Sequence, residues 1–105
     1  MKYEKLFEKG KIGKLTLKNR IVMTPMGTGF AAASGEASEE ITKFYEERAK
    51  GGVGLIICEV CRVDELSGVA QACQLRATDM NVIPSFTRMV DRIHAYDTKV
   101  FMQLH

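Results

Sequence analysis

The chain has 105 residues, 46% of them hydrophobic and 27% charged, with a formal net charge of +2; this suits one small soluble domain with a modest core. So small a charge, with acids and bases interleaved as in Lys43, Glu46, Glu47, Arg48 and Lys50, argues against nucleic acid as a partner. No apolar run approaches the roughly 18 residues of a membrane span, and Met1-Lys2-Tyr3-Glu4-Lys5 opens no signal peptide, so a cytoplasmic setting without a membrane partner is expected, where three cysteines are not a disulfide framework.

Lys11 to Leu17 alternates polar and apolar residues around Gly13, which predicts a short, half-exposed hairpin. Arg20-Ile21-Val22-Met23-Thr24 is an apolar run stopped by Pro25, a buried strand ending at a proline. After a glycine-containing loop, Ser38 reads as a helix N-cap with Glu39 and Glu40 in the first turn, where carboxylates suit the helix dipole. Ile41, Phe44, Tyr45 and Ala49 make its apolar stripe, and Gly51-Gly52 its stop. Val53 to Cys58 is a continuous apolar strand of the kind buried on both faces. A polar loop is expected from Glu59 to about Asn81. Pro84 then opens a second helix whose buried stripe is Phe86, Met89, Val90 and Ile93. Val100-Phe101-Met102-Gln103-Leu104 is the last strand. Strands joined by helical crossovers pair in parallel, so the fold class is α/β.

Residues that a plain core strand would not choose gather at the strands' C-terminal ends: Thr24 to Gly29, Glu59 to Arg62, and Gln103 to His105. In parallel α/β folds ligands collect at that edge. Gly27-Thr28-Gly29 is followed by Phe30-Ala31-Ala32 rather than a third glycine, so it lacks the spacing of a dinucleotide fingerprint, and no Gly-Lys-Ser/Thr Walker loop occurs. Cys58-Glu59-Val60-Cys61 is a lone CxxC that begins inside a buried strand, which favours neither a metal site nor a redox pair. His94 is expected at the helix surface.

The run Leu17-Lys18-Asn19-Arg20-Ile21-Val22-Met23-Thr24-Pro25-Met26 resembles the start of the old yellow enzyme family. Leu6-Phe7 and Ile12-Gly13 are similar to its leading hairpin, Phe44 to Ile56 to its first helix and second strand, and Val100 to His105 to its third strand. The likeness is greatest to the long members, the 2,4-dienoyl-CoA, 2-enoate and bile-acid enone reductases. It implies the N-terminal portion of a (β/α)₈ TIM barrel: a bottom hairpin, about three parallel strands and two helices, with residues 1–105 forming part of an FMN-binding domain. Such a barrel needs about 250 residues. The chain is therefore expected to be a fragment, inactive alone, of a homo-oligomeric NAD(P)H:flavin oxidoreductase that reduces activated C=C bonds.

By the same resemblance Pro25, Met26, Gly27, Val60 and Gln103 border the FMN ring. Proline would hold the strand exit rigid, and the glutamine amide, both donor and acceptor, would meet the flavin pyrimidine edge. Gly27 stands where the family often has threonine or cysteine, and Val60 where it has a smaller residue. No catalytic or metal-binding residue is assigned within the chain. A long-form parent would add FAD and a 4Fe-4S cluster outside this segment, and a small unsaturated carbonyl compound as substrate. Two other readings stay open: a non-catalytic, self-associating α/β fragment, or another FMN-barrel dehydrogenase.

Overall fold

The computed structural model describes residues 2–105. A short helix α1 (Glu4–Phe7) leads into strands β1 (Gly10–Ile12) and β2 (Leu15–Leu17), paired antiparallel with Lys11 opposite Thr16. Gly13 turns the chain at a φ of 57°, left-handed backbone that glycine adopts without a Cβ penalty. The expected hairpin is present, and only its Leu17 is buried.

The rest is built on strand β4 (Leu55–Arg62), with β3 (Val22–Met23) and β6 (Lys99–Leu104) parallel to it. Helix α2 (Glu39–Lys50) connects β3 to β4, and helix α3 (Ile83–His94) lies between β4 and β6. Ser38 caps α2 as predicted: its hydroxyl oxygen accepts from the Ile41 N–H at 3.1 Å, a contact that typically stabilises by about 1 kcal/mol. The helix stops where the Gly52 N–H reaches the Ala49 carbonyl at 3.0 Å, with Gly52 at a φ of 109°. Arg92 of α3 donates to Glu39 (2.7 Å) and Glu46 (2.8 Å) of α2, so the two helices form one layer.

That layer covers one face of the sheet. Ile41, Tyr45 and Ala49 from α2, Met89 and Ile93 from α3, and Ile56, Cys58 and Cys61 from β4 make the core. Each fully buried aliphatic side chain there stabilises by roughly 1.5–3 kcal/mol. Ile57, Val60 and Gln103 are only half-buried, and Phe101 is exposed. Along β4 itself the consecutive residues Leu55 and Ile56, which point to opposite faces, are both buried and none of the eight residues is exposed, as expected of a strand buried on both faces.

Three expectations change. The first strand is two residues long, not five: Asn19 holds its approach by donating to the Gly52 carbonyl (2.7 Å) and accepting from the Ile21 N–H (3.1 Å). The second strand runs on to Arg62, and the expected loop also contains β5 (Leu75–Arg76) and a 3₁₀ turn at Met80–Val82. Charged residues normally argue against a buried strand, but Glu59 is completely buried with side-chain partners. In α3 the buried line is Ser85, Met89 and Ile93, while Phe86 and Val90 are half-buried. Those two lie beside Ile83 and Met102 along an apolar groove.

Candidate functional site

Parallel pairing brings the ends of β3, β4 and β6 to one edge. Val22, Leu55 and Lys99 form a row across the sheet. Beyond that row Val60 pairs with Gln103, although more residues intervene in β4 than in β6. The register shifts between Cys58 and Val60, so Glu59 is the extra residue of a bulge. The hairpin is at the other end, where Leu15 shares a groove with Asp97, Thr98 and Lys99 at the start of β6.

The residues singled out from sequence sit as follows. Pro25 is half-buried just after β3, and Met26 and Gly27 are exposed at its exit. Val60 and Gln103 are half-buried neighbours on β4 and β6. Among the described residues, nothing hydrogen-bonds the Gln103 side-chain amide. Its donor and acceptor are thus available to a ligand that carries both. Gly27 has a role inside the protein: a Cβ there would come within 2.5 Å of the Gln71 amide oxygen. A missing side chain at this exit makes room for Gln71.

Sequence reasoning missed the main polar structure at this edge. The Glu59 carboxylate accepts from the Tyr45 hydroxyl (2.9 Å), the Thr28 N–H (3.1 Å), the Thr28 hydroxyl (2.9 Å) and the Gln71 amide (3.2 Å). Its own N–H, left out of the ladder by the bulge, donates to the Tyr45 hydroxyl at 3.0 Å. Every donor is neutral, and together they satisfy a carboxylate that is 0% exposed. Burial, reinforced by the neighbouring Cys58 and Glu59, holds the Tyr45 phenol well above its ordinary range, so it remains a donor. A charged residue placed directly after an apolar run was the one local signal of this arrangement.

The two cysteines flanking Glu59 are core groups. Burial, then the nearby Glu59, pushes the Cys58 thiol up to about 12, and burial pushes Cys61 up to about 11. A thiol so hard to ionise is a poor nucleophile. Beyond β4, Glu65 accepts from Arg62 (3.2 Å), Arg76 (3.4 Å) and the Thr78 hydroxyl, which folds the segment carrying exposed Val63, Leu66 and Val69 over the strand end. His105 braces the same segment through its ring nitrogen at the Gly68 carbonyl (2.8 Å).

An FMN ring is chemically compatible with this edge: it would need a rigid strand exit and an unpaired amide opposite its pyrimidine side, and Pro25 and Gln103 offer them. Comparison with known proteins points the same way. The chain is 44% identical over 103 residues to an NADH oxidase of Thermoanaerobacter brockii, and 39% identical over 109 residues to a cinnamate reductase of Clostridium sporogenes. These alignments cover 98% and 97% of this chain, but the chain spans only 16% of either relative. Its fold superposes on an old yellow enzyme from Trypanosoma cruzi with a TM-score of 0.88 at 29% identity, covering 99% of this chain and 27% of that one. The architecture is accordingly the N-terminal portion of a TIM barrel. With residues 5–105 matching the family described as NADH:flavin oxidoreductase / NADH oxidase, the chain belongs to that family.

Proposed function

We propose that residues 1–105 are the opening part of an FMN-binding barrel domain in an NAD(P)H-dependent oxidoreductase that reduces activated C=C bonds. The observation that carries this reading is the Gln103 amide, half-buried beside Val60 and without a partner among the described residues, at the edge reached by Pro25, Met26 and Gly27. In this reading Gln103 holds the pyrimidine side of the ring, Val60 borders it, and the exit at Pro25–Gly27 supports the opposite edge. Bound flavin supplies the hydride chemistry between nicotinamide and substrate. This chain's share is orientation, with Pro25 limiting the backbone's freedom and the helix layer holding β4 in place.

The relative named a cinnamate reductase supports an enoate, enone or enoyl thioester as the substrate class. A proton donor, the FMN phosphate site and the pyridine-nucleotide site then belong to other parts of the protein, as do FAD and a 4Fe-4S cluster in a long-form parent. Taken alone, the 105 residues would be inactive, with the outer edges of β3 and β6 open to pairing between copies. Purified full-length protein should carry flavin absorbance, and NADH oxidation should increase on adding cinnamate. Gln103→Leu should weaken FMN binding by about tenfold, the loss of one or two hydrogen bonds. Full-length protein that is colourless and takes up no FMN would sink the reading.

A further inference from the structure

Glu59 unites two structural features at this edge. It is the inserted residue of the bulge, so its main chain sets which residue of β4 meets Gln103. Without the insertion, every side chain beyond Cys58 would change face, since side chains alternate along a strand. Its side chain meanwhile reaches the exit of β3 through Thr28, three residues past Pro25, and the segment after β4 through Gln71. Tyr45 of α2 closes the arrangement by accepting the Glu59 N–H and donating to its carboxylate.

We propose that Glu59 is the positioning residue of the flavin wall. One buried carboxylate holds Pro25, Met26 and Gly27, and one bulged main chain holds Val60 against Gln103. The inference rests on the flavin reading above and extends it to a residue that need not touch the cofactor.

The donor count supports this role. A carboxylate accepts at both oxygens and donates from neither. Four neutral donors converge on Glu59: the Tyr45 hydroxyl, the Thr28 hydroxyl and N–H, and the Gln71 amide. The Thr28 hydroxyl also accepts from the Phe30 N–H at 3.1 Å, so its proton is directed to Glu59. Glutamine in place of Glu59 keeps the volume but replaces one accepting oxygen by an NH₂ group, which faces either the Thr28 N–H, which cannot accept, or the Tyr45 and Thr28 hydroxyls, which already accept from the Glu59 and Phe30 N–H groups. Tyr45 would have to give up its contact with the Glu59 N–H, or Thr28 would move and take the β3 exit with it. The effect should appear where the ring lies, as well as in stability.

The test compares full-length wild type, Glu59→Gln, Gln71→Ala and a core control, Ile93→Val, for FMN dissociation constant, visible flavin spectrum and melting temperature. Glu59→Gln should weaken FMN binding by about tenfold or more and shift the flavin absorbance bands. Gln71→Ala should produce a smaller shift in the same direction, because one of the four donors is lost. Ile93→Val should lower the melting temperature with FMN affinity and spectrum unchanged. If Glu59→Gln fails to fold, Gln71→Ala decides, since Gln71 is only half-buried and lies outside the helices and strands. Wild-type affinity and spectrum in Glu59→Gln, or in Gln71→Ala where that variant decides, would overturn the inference while leaving the flavin reading intact. Failure of the wild type to bind FMN would instead remove the reading on which it rests.

Discussion

The two ends of the parallel sheet solve the same problem in different ways. At the N-terminal end, side chains close the backbone: Asn19 pairs with the Gly52 carbonyl and the Ile21 N–H, and the Thr98 hydroxyl donates to the Val53 carbonyl at 2.7 Å. Those polar groups are used up locally. At the C-terminal end a buried carboxylate links separate segments, and the Gln103 amide at the same edge has no partner among the described residues. Hydrogen bonding at one end is directed inward, toward stability, whereas the other end leaves the hydrogen-bonding capacity that the proposed flavin site requires.

Two glycines bring this contrast to a test, and the largest effect is expected at the closed end. A Cβ on Gly54 would run into the Asn19 side-chain oxygen and lie 2.9 Å from the Asn19 backbone carbonyl. Backbone there cannot retreat without breaking the start of β4. Gly54→Ala should destabilise the full-length protein by about 1–3 kcal/mol, the usual cost of overpacking, with little change in FMN affinity per folded molecule. Denaturant unfolding and flavin titration separate the two quantities. A large loss of FMN affinity at unchanged stability would break the proposed division between the ends.

At the open end the order reverses. Gly27→Ala meets only the tip of Gln71, a flexible side chain that can swing aside. Stability should change by less than about 1 kcal/mol. The Gln71 contact with Glu59 would be disturbed, so FMN affinity should drop several-fold, and the same pair of measurements reads it.

How much of this was legible in the sequence follows from the range of the interactions. The hairpin, both long helices and the order of parallel strands rest on local signals: Gly13 at a turn, Ser38 and Gly52 at the ends of α2, Pro84 at the start of α3. The resemblance of residues 17–26 to a known family supplied the barrel. Glu59 stands directly after an apolar run, where the sequence predicts the start of a polar loop, and its donors lie 12 to 31 positions away at Gln71, Tyr45 and Thr28. No periodicity reports such partners. Strand β5 is two residues long and exists through its parallel pairing with Cys61 and Arg62, with the Arg76 N–H held by the Gly35 carbonyl. Both are tertiary events, and they shape the end where the site lies.

A smaller effect concerns the thiols in β4, which belong to the core although they flank the site. Burial raises Cys58 to about 12 and Cys61 to about 11, from an ordinary 9.0. In the unfolded chain these thiols lose protons first, so the unfolded state binds fewer protons and stability falls as pH rises above about 9. The contribution is complete below pH 9 and is lost towards pH 11–12. Cys58→Ala/Cys61→Ala should therefore show a flatter fall in its denaturation midpoint between pH 8 and 11 than the wild type. At pH 8, alkylation should reach Cys73, which is half-exposed, before either of them. Rapid labelling of Cys58 or Cys61 in the folded protein would assign that strand to the reactive edge after all.

The smallest effect is expected in the outer helix layer, which belongs to neither end. Hydrogen bonds from Arg92 hold the Glu39 and Glu46 carboxylates below their ordinary range. Lowered carboxylate values mean that the unfolded state takes up protons first on acidification. The stabilisation is thus present above the ordinary carboxylate range, near 4.5, and is lost as pH falls through the lower folded values. The Glu39 carboxylate is exposed and the Glu46 carboxylate partly so, so salt should screen part of the interaction. Arg92→Ala should lower the melting temperature slightly at pH 7 and low ionic strength, by less than Gly54→Ala does, and the difference should shrink in high salt and below pH 4. FMN affinity should not move, because Arg92 contacts neither Glu59 nor its partners. Should Arg92→Ala alter the flavin spectrum, the helix layer would be part of the site, and the distinction between the sheet's two ends would no longer account for where its chemistry lies.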